Sequence, residues 1–160
     1  MNEKHGMVDA SLLMSSLITA AMLVSVLFYV LIAVLLLRRG QLFLVSGVSL
    51  LEPALAAAAV LGAVGGPWFF RMRVRGLEEA SRSTAPELTL ERLQRARIVG
   101  LALAETAAIF GLVLTLVTGR SVWCFGLAAL SVAAMLTLWP RRGQLERVAF
   151  PGEARPIEPD

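Results

Sequence analysis

The chain consists of long apolar blocks separated by shorter polar segments that carry arginine. About 20 apolar residues cross a bilayer as a helix, and backbone groups in hydrocarbon must be hydrogen-bonded within the protein. The strict alternation of a membrane β-barrel strand is missing from these blocks. The pattern therefore predicts an all-α, polytopic membrane protein with a four-helix transmembrane domain over residues 1–142. Its predicted spans are about 12–37, 42–70, 98–118 and 122–138.

The second block is interrupted by Glu52 and Pro53. Proline suits the first turn of a helix and disrupts a helix interior. We therefore expect a fresh helix start at Pro53, with Glu52 as a helix-start residue near the positive end of that helix. The alternative is one long kinked helix. Residues 41–51 can span the membrane, re-enter it or lie at its surface.

Two polar segments follow the second and fourth spans. Residues 71–97 are predicted as a cytoplasmic loop, and residues 143–160 as a loose cytoplasmic tail. Within the loop, Thr84 and Glu87 have the spacing of a capping box, which predicts a helix that runs into span three. Glu91 and Arg95 are four residues apart and are expected to pair along it.

Charge gives the orientation. With four spans, all 15 Lys and Arg residues except Arg38, Arg39 and Arg120 fall on the side that holds both termini. The positive-inside rule therefore predicts cytoplasmic termini in the cell (inner) membrane. Arginines beside span ends meet anionic headgroups, so the lipid bilayer is the expected partner and nucleic acid is not. With 57% hydrophobic residues, a soluble domain of this size is excluded.

The sequence gives little support for an active site of the kind found in soluble enzymes. We find no nucleotide-binding glycine loop, no metal-ligand cluster and no nucleophile–base pair, so we expect no enzyme and no cofactor. The single Cys124 cannot form an internal disulfide. The hydroxyls of span one are expected to bond to their own helix or a neighbour, as packing groups. These are Ser15, Ser16, Thr19 and Ser25.

Glu105 is the one charge inside an apolar span. It follows Ile98 by seven residues, which places it about 10 Å into the apolar layer. An ionised carboxylate there costs about 3 kcal/mol or more. Two interpretations stay open: a functional proton- or ion-binding group, or a hydrogen-bonded glutamate that fixes helix packing. Glu52 lies at a different depth and is not an expected partner, whereas the adjacent Thr106 can assist.

The segment Ile98-Val99-Gly100-Leu101-Ala102-Leu103-Ala104-Glu105-Thr106-Ala107-Ala108-Ile109-Phe110-Gly111-Leu112-Val113 resembles the carboxylate-bearing second helix of the rotary ATPase proteolipid, subunit c. The resemblance implies that Glu105 carries the ion and that Thr106 is a neighbouring hydroxyl ligand. It covers one helix of four and has Phe110 where the family has a tyrosine. Overall, the chain also resembles small four-helix bacterial membrane proteins with a similar glutamate helix.

Two functional hypotheses follow. In the first, the protein is proton- or ion-responsive and Glu105 binds and releases the proton. In the second, it is a non-catalytic accessory or structural subunit, in a homo-oligomer or a larger membrane complex. There the small-residue faces of spans two and three would bind the partner. The predicted helix-packing positions are Gly62, Ala63, Gly100 and Gly111.

Overall fold

The computed structural model describes residues 2–40, 50–80 and 86–149. Within those ranges all regular structure is α-helical, which confirms the predicted all-α class. The helices are α1 (Asn2–Arg38), α2 (Leu51–Ala80), α3 (Pro86–Thr118), α4 (Ser121–Thr137) and α5 (Arg142–Ala149). α3 is central, since it contacts each of the other four helices.

Three of these helices are long and apolar enough to cross a membrane, namely α1, α2 and α3. α4 has 17 residues and is followed by α5 after a bend of 50°. The two together count as a fourth candidate span if they are taken as one bent span. The structure therefore has three to four candidate spans, which is consistent with a membrane-spanning chain.

The segment 71–97 is not a loop in the part that the structure describes. α2 continues to Ala80, and α3 begins at Pro86, so both arms of this segment are helical. Arg, Glu and Leu dominate these arms, and these residues are good helix formers even where no lipid surrounds them. The start of α3 agrees with the helix predicted from the capping box, although Thr84 itself lies outside the described residues.

The predicted tail 143–160 also differs from the structure. Its first residues belong to α5, which buries Leu145 and Val148 against the bundle. Residues 150–160 lie outside the described part of the chain. An apolar pair three residues apart forms a stripe on one helix face, and burial of this stripe explains why the segment is helical.

α2 begins at Leu51, so Pro53 lies in its first turn, as predicted. The question of whether residues 41–51 span, re-enter or lie at the surface falls mostly on residues 41–49, which are outside the described ranges. Glu52 is in the same first turn. This position agrees with its interpretation as a helix-start residue.

Glycines on α2 and α3 allow these two helices to approach closely. A Cβ atom added to Gly62 would collide with the Thr106 hydroxyl, and one added to Gly66 would collide with the Gly100 carbonyl oxygen. A Cβ at Gly100 would lie 3.1 Å from the Gly66 carbonyl oxygen. Ala63 is buried beside this contact. The small-residue faces of α2 and α3 therefore pack against each other within the chain.

α4 packs on α3 through a tight hairpin. Thr115 accepts a hydrogen bond of 2.9 Å from the Cys124 backbone N–H, and its own hydroxyl donates to the Arg120 carbonyl oxygen at 3.2 Å. Gly119 has a positive φ of 71°, which suits the turn between the helices. A Cβ at Gly111 would lie 3.0 Å from the Leu127 Cβ, so this glycine also marks a close helix contact.

One end of the bundle brings together α1, α3 and α5. Arg142 on α5 lies 3.5 Å from the Asp9 carboxylate on α1, and Arg97 on α3 donates to the Gln144 amide oxygen at 3.3 Å. The opposite end joins α2 to α4 through Glu52 and Arg120, 3.4 Å apart. The N-terminal end of α1, the polar arms of α2 and α3, and α5 therefore share one end.

A candidate site between α1 and α3

Glu105 lies on α3 at the contact with α1. Its neighbours Ala104 and Ala108 are fully buried, and Glu105 itself is partly exposed. The side chain extends to α1, where it finds its hydrogen-bond partners. These positions place the carboxylate in the apolar middle of α3, well away from the arginines that flank both ends of this helix.

Two hydroxyl groups of α1 bind one oxygen of this carboxylate. Ser25 Oγ makes a short hydrogen bond to Glu105 Oε1, and the Tyr29 phenol donates to the same oxygen at 3.0 Å. Ser25 and Tyr29 are four residues apart, so they lie one above the other on a single face of α1. A serine, a tyrosine and a glutamate thus form a polar cluster across a helix–helix contact.

The Ser25 hydroxyl has a second acceptor within reach. Its Oγ also lies 2.7 Å from the Met22 carbonyl oxygen, one turn earlier on α1. A hydroxyl carries a single hydrogen and therefore donates one hydrogen bond at a time. With an ionised Glu105, Ser25 donates to the carboxylate. With a protonated Glu105, the acid O–H donates to Ser25 Oγ, and Ser25 donates to Met22.

Both protonation states of Glu105 therefore keep the hydrogen bonds of Oε1 to Ser25 and Tyr29 with the same positions of the heavy atoms. The Tyr29 phenol donates to Oε1 in either state, because a protonated oxygen retains a lone pair. Hydrogen bonds to an ionised group stabilise by about 1.5–3 kcal/mol each, which offsets part of the cost of a charge in an apolar layer. The hydrogen-bond geometry of the cluster is thus compatible with either protonation state.

The electrostatic setting lacks an opposite charge. Among the described residues, no Lys, Arg or His forms an ion pair with Glu105; the carboxylate relies on hydroxyl donors. In the same ranges, no group of three His, Cys, Asp or Glu side chains could hold a metal ion. The groups that contact the Glu105 carboxyl group in this part of the chain are therefore two hydroxyls.

Thr106 does not join this cluster. Its hydroxyl donates to the Leu103 carbonyl oxygen of its own helix at 2.6 Å, and it faces Gly62 on α2. Residues next to each other on a helix point about 100° apart, which explains why Glu105 meets α1 while Thr106 meets α2. The expectation that Thr106 assists Glu105 has no support in this geometry.

Ser25 and Tyr29 are the site residues that the sequence interpretation missed. Ser25 was expected to be a packing group, and Tyr29 was given no role. The sequence feature that could have identified them is their spacing of four residues, which places two hydroxyls on one face of an otherwise apolar part of the helix. Phe110, which stands where the resembled family has a tyrosine, has no hydroxyl; Tyr29 provides a phenol from another helix instead.

The carboxylate in the first turn of α2, Glu52, has different partners. Its Oε1 accepts a hydrogen bond of 2.8 Å from the Trp123 indole and lies 3.4 Å from Arg120. These contacts connect the start of α2 to the start of α4. Glu52 and Glu105 therefore have separate sets of partners, in agreement with the expectation that they do not pair.

Sequence similarity adds no further constraint on this site. Comparison of the chain with protein-family models, with curated proteins and with solved structures gives no match. The resemblance of residues 98–113 to the proteolipid helix thus stays a prediction from those residues.

Proposed function

We propose that this chain is a proton-binding integral membrane protein in which Glu105 gains and loses the proton at the contact between α1 and α3. The observation that carries the proposal is the Ser25–Tyr29–Glu105 cluster, with Met22 as the alternative acceptor for Ser25. The cluster accommodates both protonation states.

The membrane placement assumed here has four spans, with α4 and α5 as the bent fourth span and both termini in the cytoplasm. Several observations support it. The outer face of α1 exposes large apolar side chains, which suits contact with lipid. The N-terminal end of α1 and α5 meet at one end of the bundle, beside the polar, arginine-bearing arms of α2 and α3. That end is the cytoplasmic one by the positive-inside rule.

A proton fits the cluster better than a divalent cation such as Ca²⁺ or Mg²⁺. Ca²⁺ takes six to eight oxygen ligands, and Mg²⁺ takes six. The cluster provides one carboxylate, two hydroxyls and one backbone carbonyl.

Carbodiimide labelling tests the proposal, because the reagent modifies protonated carboxyl groups in apolar surroundings. The purified full chain is labelled across a pH series, with Glu105→Gln as the matched control. We expect labelling of Glu105 that persists near neutral pH and is absent from the variant. A complete lack of Glu105 labelling down to acidic pH, in protein that remains folded, would overturn the proposal.

The structural alternative has one observation in its favour: both donors to Glu105 come from a neighbouring helix, so the cluster also holds α1 against α3. Glu105→Gln retains an acceptor oxygen for the two hydroxyls. A packing role therefore predicts that the variant and the unsubstituted chain have the same melting temperature at every pH. An accessory subunit that binds a larger complex would need a surface other than the small-residue faces of α2 and α3, since Gly62 and Gly100 contact helices of the same chain.

A further inference from the structure

A groove runs along the outside of the α2–α3 pair at the arginine-rich end of the bundle. It has a volume of about 920 Å³ and is lined by residues of both helices. Gly76 leaves one wall without a side chain, and a Cβ there would meet nothing within 4 Å. The volume is in the range of pockets that bind organic molecules rather than single ions.

The lining is apolar at one end and cationic at the other. Trp68 and Phe69 lie at the end of the predicted second span, which covers residues 42–70. Val99 lies opposite them on α3. Arg73 follows Trp68 by five residues, or about 8 Å along α2, and Arg92 precedes Val99 by seven residues, or about 10 Å along α3. Both helices thus become cationic in the same direction, away from the apolar layer.

The charge of the groove is largely unneutralised. Of the described residues that line it, three are arginines and none is acidic. Arg95 pairs with Glu91 at 2.5 Å, whereas Arg73 lies over the Phe69 ring at 5.4 Å. Arg73 and Arg92 form no ion pair with any described residue. Two guanidinium groups from opposite walls are therefore available to an anion.

We propose that this groove binds an anionic phospholipid of the cytoplasmic leaflet, with the phosphate at Arg73 and Arg92 and an acyl chain along Trp68 and Val99. Guanidinium groups bind phosphate oxygens with two hydrogen bonds each, and basic pockets between transmembrane helices suit anionic headgroups. This inference goes beyond proton binding, because the groove contains none of the residues of the Glu105 cluster.

The apolar end of the groove is the reason to choose a lipid over a free anion. Trp68 is 64% exposed and Met72 is 55% exposed. Inorganic phosphate would contact the arginines and leave these side chains uncovered. A phospholipid covers both ends at once, since its charged headgroup and its acyl chain follow the same order along the membrane normal as Arg73 and Trp68.

Fluorescence of Trp68 provides a local probe. The full chain carrying Trp123→Phe and Trp139→Phe retains Trp68 as its one indole. It is titrated in detergent micelles with phosphatidylglycerol brominated on the acyl chain, and separately with brominated phosphatidylcholine. Bromine quenches an indole in contact with it. We expect quenching at a clearly lower fraction of the anionic lipid than of the zwitterionic one.

A matched pair of double variants separates the groove from general charge. Arg73→Gln with Arg92→Gln removes two charges from the groove, and Arg71→Gln with Arg75→Gln removes two from exposed positions of α2 that do not line it. We expect the first pair to weaken the preference for phosphatidylglycerol on the order of tenfold, and the second pair to retain it. Native mass spectrometry of lipid retained by the chain with all three tryptophans gives a second readout.

Three results would overturn the proposal. Equal quenching by the two lipids would remove the preference for an anion. Equal losses in the two double variants would assign the preference to overall charge. Loss of phosphatidylglycerol quenching on addition of millimolar inorganic phosphate, with sulfate at the same ionic strength ineffective, would make the groove a site for free phosphate.

Discussion

The Tyr29 phenol on α1 donates a hydrogen bond of 3.0 Å to the Glu105 carboxylate on α3, across 76 positions of sequence. Ser25 reaches the same oxygen from one turn earlier on α1. Because these donors belong to a different helix, the Glu105 carboxyl group connects α3 to α1 through hydrogen bonds.

Removal of the phenol hydroxyl in Tyr29→Phe is expected to favour the protonated form of Glu105. The hydroxyl stabilises the ionised carboxylate by about 1.5–3 kcal/mol, and this contribution is lost in the variant. Carbodiimide labelling of Glu105 should therefore persist to higher pH, by on the order of one pH unit. The measurement is the pH midpoint of labelling by mass spectrometry. An unchanged midpoint would show that Tyr29 does not act on this carboxyl group.

Ser25→Ala should shift the labelling midpoint in the same direction, and it has a close control on the same helix. Ser16 donates to the Leu13 carbonyl oxygen at 2.8 Å and is partly exposed, and no hydrogen bond joins it to Glu105. Ser16→Ala is therefore expected to leave the midpoint unchanged. Similar shifts in both serine variants would mean that the change reflects a general loosening of α1, and the specific role of Ser25 would be lost.

Thr106→Val distinguishes the geometry seen here from the ligand role that the proteolipid resemblance implies. The Thr106 hydroxyl bonds to the Leu103 carbonyl oxygen and faces α2. Valine has nearly the same shape, so the expected result is an unchanged pH midpoint of Glu105 labelling. A shift as large as that of Ser25→Ala would instead place Thr106 at the carboxyl group, in agreement with the resemblance.

The helical class could be predicted from the sequence because hydrocarbon leaves few alternatives for long apolar blocks. The first turn of α2 could also be placed, since proline suits the first turn of a helix. The rule is a preference, because Pro67 lies inside the same helix. The ends of α2 and α3 could not be placed by the same reasoning. Hydropathy marks the edge of the apolar layer, whereas the helices continue through residues 71–80 and 86–97. In these polar segments, helix propensity and side-chain pairs such as Glu91–Arg95 stabilise the helix.

The partners of Glu105 required information that hydropathy does not contain. The depth of the Glu105 carboxylate in the apolar layer could be predicted from its distance along the helix from Ile98. Depth alone does not show which neighbouring helix the side chain meets. The rotation and tilt of α1 decide instead that Ser25 and Tyr29 reach it. Gly62 and Gly100 were identified as packing positions from their small size, but Gly66, which meets the Gly100 carbonyl oxygen, was not among them.

A pair of glycine substitutions tests the close contact between α2 and α3. A Cβ at Gly66 collides with backbone atoms of α3, whereas one at the adjacent Gly65 meets nothing within 4 Å. Gly66→Ala is expected to lower the free energy of unfolding by about 1–3 kcal/mol through overpacking. Gly65→Ala should raise it by about 0.5–1 kcal/mol, the helix-propensity difference between these residues. Denaturant titration in mixed micelles measures both, and equal effects would contradict the contact.

Arg97 on α3 is 2% exposed, and its guanidinium has a single hydrogen-bond acceptor among the described residues. Its Nη2 donates to the Gln144 amide oxygen at 3.3 Å, while Nε and Nη1 find no partner there; the Phe70 ring lies 5.3 Å away. Gln144→Leu removes that acceptor from a buried charge and is expected to cost about 1–3 kcal/mol of unfolding free energy.

Arg97→Met is expected to behave differently, since replacing a buried charge by an apolar side chain of similar length is often neutral or stabilising. Combined with Gln144→Leu, it should recover most of the stability that Gln144→Leu loses, because no charge is left without its acceptor. Thermal unfolding of the two single variants and the double variant forms a complete cycle. Additive effects would show that Arg97 and Gln144 act independently, and the attachment of α5 would then rest on Leu145 and Val148.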